Sequence, residues 1–376
     1  MKIFTIDRRF LFLIAVLYWE SAYSQEASYP VIVNHPALEK GDSKAFDLWE
    51  LRGDSSQLEG YFLDTESVIC FDHICKVVPV RIFWDPIGRY QQYELAEGII
   101  LEKKEGEPFS PEDYARLHEI LSDTSSPYRD LSYYEITHER IRDEGEVDAV
   151  TGPSPIYLNE NETVQGAAWT CFTLWHWVNG ELVREIQKIT GKALSLPELQ
   201  VHIQTQDPYR QVFALNELIQ RREYDSLMVE KVVEQVSVSD SEQQFFKRVL
   251  LYLEQAPPET YYASLPQLLK ASSKGRRITL WNSIHKQSTT PIAGYFDHFC
   301  DKLLERKDYQ EIDLFLTILE QKKASTPAIL TKLAPLLEDE YSIVNRRVYW
   351  YLSNQELSDS QKQMLESYYD QYADNL

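Results

Sequence analysis

Val77-Val78-Pro79-Val80-Arg81-Ile82-Phe83-Trp84-Asp85-Pro86-Ile87-Gly88-Arg89-Tyr90-Gln91-Gln92-Tyr93-Glu94-Leu95 is the stretch on which the fold class turns. Its first eight residues are mostly β-branched or aromatic, the composition of a strand. Asp85-Pro86-Ile87-Gly88 then places proline second and glycine fourth, as a type I turn prefers. Tyr90 to Leu95 reads as the returning strand, so the stretch predicts a β-hairpin. Pro79 belongs near a strand start, where its missing N–H does least harm. Ile99-Ile100-Leu101 is expected to add a third strand. Upstream, residues 25–60 read as polar and irregular, interrupted by Pro30, Pro36, Gly41, Gly53 and Gly60. Downstream, Ser110-Pro111-Glu112-Asp113 opens a helix. Serine can cap, proline fits the first turn, and the two acids suit the positive end of the helix dipole. Tyr114, Leu117, Ile120 and Leu121 form its apolar face. Strands and helix together predict an α+β N-terminal domain.

The N-terminus reads as a secretory signal over residues 1–24. Lys2, Arg8 and Arg9 precede an apolar run from Phe10 to Trp19, and Ala22-Tyr23-Ser24 offers small residues at the cleavage positions. The mature chain is expected to start at Gln25, with a retained anchor as the alternative. The chain is therefore expected to be exported, to the periplasm or the exterior, with no transmembrane segment in its mature form. A net charge of -21 excludes nucleic acid and anionic membranes as natural partners. Of four cysteines, Cys70 and Cys75 are close enough in sequence to bridge around a tight turn. A disulfide is expected there. Free thiols, or a metal site using His73, are the alternatives.

A second helical segment is expected from Val164 to Ile189. Trp169, Cys171, Phe172, Leu174, Trp175 and Trp177 make it apolar nearly all round, which implies burial on several sides. Gly180 is expected to break it into two helices and Gly191 to end it. His176 reads as a buried, hydrogen-bonded histidine, with proton transfer as the functional alternative. Asn161-Glu162-Thr163 is a glycosylation sequon. No nucleophile elbow, zinc-protease helix motif, P-loop or dinucleotide fingerprint occurs.

Just before this segment stand Asp148-Ala149-Val150-Thr151-Gly152-Pro153-Ser154, followed by Gly166-Ala167-Ala168. This stretch resembles the flavin-attachment signature of exported FMN-binding domains, a likeness that spans about residues 75–190. Pro153 stands where that family has alanine. The resemblance implies that the Ser154 hydroxyl would take the FMN phosphate as an ester, on a loop built by Asp148, Thr151 and Gly152. It also implies that Trp169 and Trp175 would wall the flavin ring with His176 beside it. Because of the proline and the short match, a relative without cofactor is the expected form. An electron-transfer flavoprotein carrying FMN near Ser154 is the alternative.

From residue 192 to 376 no convincing strand appears. Ser195-Leu196-Pro197-Glu198 has the form of a capping box. Further helix starts fall near Asp207, Asp240, Gly275, Asp308 and Asp339, a period of about 33 residues. This half looks like a HEAT-type array, an all-α helical-repeat domain or α-solenoid, with an irregular bundle as the alternative. The domain plan is thus a signal peptide (1–24), an FMN-binding-like α+β domain (25–191) and a helical-repeat domain (192–376). The function expected is that of an exported binding or scaffold protein. Its repeats would dock another exported or membrane-associated protein.

Overall fold

The structure, a computed structural model, describes residues 27–38, 42–54, 56–69, 76–132, 135–136, 158–159, 161–238, 243–306, 308–338 and 342–375. The signal segment, Cys70, Cys75 and the Asp148–Ser154 loop all lie outside these residues. The chain divides into two compact units between Ala193 and Leu194.

The first unit is built on a five-stranded antiparallel meander in chain order. Its strands are β1 (Ser28–Val33), β2 (Lys44–Arg52), β3 (Leu58–Glu66), β4 (Pro79–Trp84) and β5 (Tyr90–Leu95). The predicted hairpin is the β4–β5 pair. Its turn is closed by Asp85, whose backbone N–H bonds the Arg89 carbonyl. The Asp85 carboxylate accepts from the Ile87 and Arg89 amides. Gly88 takes φ +84, which a side chain would resist. The segment read as irregular instead holds β1, β2 and the start of β3. Their signal is weak because only one face of β1 and β2 is buried and Pro30 interrupts the alternation. The expected strand at Ile99–Leu101 does not form. The Leu101 amide donates to the Tyr114 hydroxyl at 3.0 Å, which takes it out of any ladder.

The period of two sorts the sheet's side chains. Tyr61, Leu63, Val80, Ile82 and Trp84 join the main core. Phe62 and Phe83 pair on the other face, with the Arg81 guanidinium 4.6 Å over Phe62 and bidentate to Asp64. Three helices complete the unit: α1 (Pro111–Ser122), α2 (Ala168–Asn179) and α3 (Glu181–Ala193). Ser110 caps α1 as expected, and Asp113 completes a capping box with it. Gly180 does separate α2 from α3, and a Cβ there would fall 2.2 Å from the His176 carbonyl oxygen. Gly191 does not end α3, which runs on to Ala193. The preceding Thr190 is buried, with its hydroxyl bonded to Tyr61 Oη (2.9 Å) and to the Pro86 carbonyl (2.5 Å).

The second unit is helical. Its elements are α4 (Leu196–Gln204), α5 (Pro208–Arg221), α6 (Ser226–Val238), α7 (Gln243–Glu254), α8 (Pro258–Ala271), α9 (Lys274–Lys286), α10 (Asp297–Arg306), α11 (Tyr309–Lys322), α12 (Pro327–Leu333), α13 (Ile343–Leu352) and α14 (Asp359–Tyr372). A 3-10 turn, Ala334–Glu338, extends α12. Asp207 and Asp308 cap α5 and α11 as expected, accepting from the Tyr209 and Glu311 amides. The Asp240 and Asp339 positions lie outside the described residues. Helices α5, α7, α9, α11 and α13 pack each on the next, and so do α4, α6 and α8; α10 packs on α12.

Candidate functional site

The tryptophan-rich helix α2 and the loop after β1 converge on a cluster of rings. Two of the residues singled out in the sequence, Trp175 and His176, sit beside each other here. Their ring centroids are 5.0 Å apart in an edge-to-face arrangement. Phe172 lies 4.5 Å from His176, and Trp169 stacks on Phe172 at 5.5 Å. The order in space is Trp169, Phe172, His176, Trp175. Both indole N–H groups are committed to backbone: Trp169 to the Ile69 carbonyl and Trp175 to the Asp123 carbonyl. The rings of Phe172 and His176 therefore occupy the space between the two indoles.

His35, invisible to sequence reading, completes the cluster. It lies in the segment read as irregular, and no spacing links it to α2. Its ring sits 4.2 Å from Trp177 and 5.6 Å from His176. The Ala37 amide donates to its Nδ1, so Nε2 carries the proton and donates to the Thr173 carbonyl at 3.0 Å. Burial pushes its pKa down to about 3, aided by charge repulsion from His176 and Lys44. Burial likewise lowers His176 to about 4, against a bond with the Tyr128 backbone. Both histidines are thus neutral at ordinary pH. Thr173 Oγ1, His176 Nε2 and Trp177 Nε1 have no hydrogen-bond partner among the described residues. They stand at i, i+3 and i+4, one face of α2. His35 serves as a structural tie between the β1 loop and α2, while His176 keeps a buried ring nitrogen without a partner among the described residues.

Behind this cluster Cys171 is fully buried, and burial raises its thiol to about 11. Cys300 in the second unit is also a buried free thiol, raised to about 11. Neither is a nucleophile near neutral pH. Among the described residues no group of three His, Cys, Asp or Glu side chains could hold a metal ion. None of the described helices is long and apolar enough to cross a membrane. In the sequon, Asn161 is exposed, while Thr163 accepts a bond from the buried Tyr128 hydroxyl at 2.8 Å. Comparison with protein-family models, with curated proteins and with solved structures found no match.

Proposed function

We propose that the protein is an exported binding protein whose C-terminal unit is an α-solenoid, HEAT-like in plan, that docks another exported or membrane-associated protein. The observation that carries this reading is the repeat spacing of contacts within that unit. Tyr252 Oη reaches the Glu223 carbonyl across 29 residues, and Tyr295 Oη the Tyr262 carbonyl across 33. Arg277 reaches Glu311, and Arg347 reaches Asp313, across 34, while Lys322 reaches the Gln287 carbonyl across 35. These separations lie near the sequence period of about 33 residues, which supports a stack of repeated units. Helix ends echo it. Arg222 and Lys323, about 100 residues or three periods apart, both close their helices in the left-handed conformation, at φ 55 and φ 50. A stack of this kind offers extended surface to a partner.

The N-terminal unit is read as cofactor-free, in line with the filled space between Trp169 and Trp175. Purified protein with an absorbance band near about 450 nm and an FMN-modified Ser154 peptide would replace this reading with the flavoprotein. The binding role is tested with photo-crosslinking residues placed along the exposed faces of α4 to α14 in the exporting cell. A defined protein partner captured from this unit is the expected result. Crosslinks confined to the N-terminal unit, or none at all, would overturn it.

A further inference from the structure

The last two helices present aromatic rings to solvent. Trp350 on α13 is 50% exposed and Tyr369 on α14 is 52% exposed. Tyr349 links them, with its ring centroid 5.6 Å from Trp350 and stacked at 6.4 Å on Tyr369. It also stacks on the buried Tyr368 at 5.5 Å. The rings therefore form one continuous ladder across two helices. Scattered surface aromatics need no explanation, but a contiguous, braced set is the signature of an interaction surface.

Charge decides what the ladder suits. Glu366 stands one turn before Tyr369 on α14 and Asp370 beside it, both exposed. Two nearby cations are already engaged. Arg347 is held by Asp313 at 2.6 Å and Glu320 at 3.1 Å, and Lys362 lies 3.6 Å from Asp359. Arg346, one turn before Trp350, confines the acidic edge to the α14 side. Carboxylates beside exposed π faces favour a cation lying over the ring. A second copy of this chain is disfavoured, because each copy carries -21.

We propose that this ladder docks an extended, arginine- or lysine-bearing segment of a partner protein, its cation over Tyr369 and paired with Glu366 and Asp370, its apolar side-chain stem against Trp350. This rests on the reading of the C-terminal unit as a binding platform.

The test uses the full chain and a fluorescently labelled peptide of alternating arginine and glycine, read by anisotropy. The intact protein is expected to bind it. Trp350→Ala with Tyr369→Ala should weaken binding about tenfold, and Glu366→Gln with Asp370→Asn should weaken it and flatten its salt dependence. Asp47→Asn with Glu97→Gln, two exposed acids of the other unit, should leave affinity unchanged. Absence of binding, or equal losses from the control pair, would overturn the proposal. So would a dimer that the aromatic double variant abolishes, since the ladder would then be a self-contact. If crosslinking captures a partner elsewhere on α4 to α14, the platform reading stands and this one fails. If no partner is captured anywhere on α4 to α14, the platform reading fails and this proposal, which rests on it, fails with it. Because both rings are half exposed, unchanged circular dichroism and Tm in the double variant would certify that it folds.

Discussion

Arg277 and Glu311, 34 residues apart, share three hydrogen bonds of 2.6 to 3.0 Å that join α9 to α11. Glu311 is almost fully buried, at 1%, and also receives Arg306 at 3.2 Å. A buried carboxylate held by two guanidinium groups is costly to desolvate but far costlier to orphan.

Removing Glu311 should therefore strand two cations. Glu311→Ala is expected to cost about 3–5 kcal/mol in urea unfolding, whereas Arg277→Met with Glu311→Leu should cost less than the single change. A single variant that unfolds at the wild-type midpoint would show that the pair is not buried in solution.

Acid should loosen the N-terminal unit through its histidines. His35 and His176 titrate at about 3 and about 4 when folded, against about 6.5 when unfolded. The unfolded chain thus binds more protons between roughly pH 4 and 6.5. Stability from this source is complete above pH 6.5 and declines as pH falls through that window. The slope is about 1.4 kcal/mol per pH unit for each histidine. His176→Leu should lose less stability than wild type between pH 7 and pH 5. Equal losses in chemical denaturation would refute the assignment.

Gly180 is expected to resist any side chain. A Cβ there meets the His176 carbonyl oxygen at 2.2 Å, so relief requires moving α3 against α2. Gly180→Ala should cost about 1–3 kcal/mol. It should also disturb the indole of Trp84, which donates to the neighbouring Val178 carbonyl at 2.9 Å. Near-UV circular dichroism that is unchanged, together with an unchanged Tm, would count against this packing.

Truncation at Ser358 removes α14, which packs on the 3-10 turn carrying Leu337 and on α13. Tyr368, 1% exposed, leaves with it. The shortened chain should melt at least about 5 °C lower and aggregate through its uncovered apolar face. A monomer with the original melting temperature would show that α14 is not a cap.

Local signals are legible where the residues that carry them are adjacent. Asp85 to Gly88 encodes its own turn, and Ser110, Asp207 and Asp308 each cap a helix a few residues away. β1 and β2 are illegible because a strand buried on one face, broken by Pro30, looks like a polar loop until its neighbour is known. Of the candidate site, Trp175 and His176 stand out from an apolar helix alone. His35 does not, since 138 residues separate it from the Thr173 carbonyl it bonds. The loop residues Asp148, Thr151, Gly152 and Ser154, and the Cys70–Cys75 pair, lie outside the described structure.

By itself the sequence determined the helical class of the second half, the β4–β5 hairpin and the break at Gly180. Each follows from backbone preferences and side-chain periodicity that act within a few residues. The tertiary structure alone decided that the meander has five strands and that α3 outruns Gly191. It also decided that Phe172 and His176 fill the gap between Trp169 and Trp175, and that Trp350, Tyr349 and Tyr369 meet at the end of the unit. These depend on which surfaces desolvate one another across long stretches of chain. Burial and partner choice are properties of the assembled fold, and no short window of residues contains them.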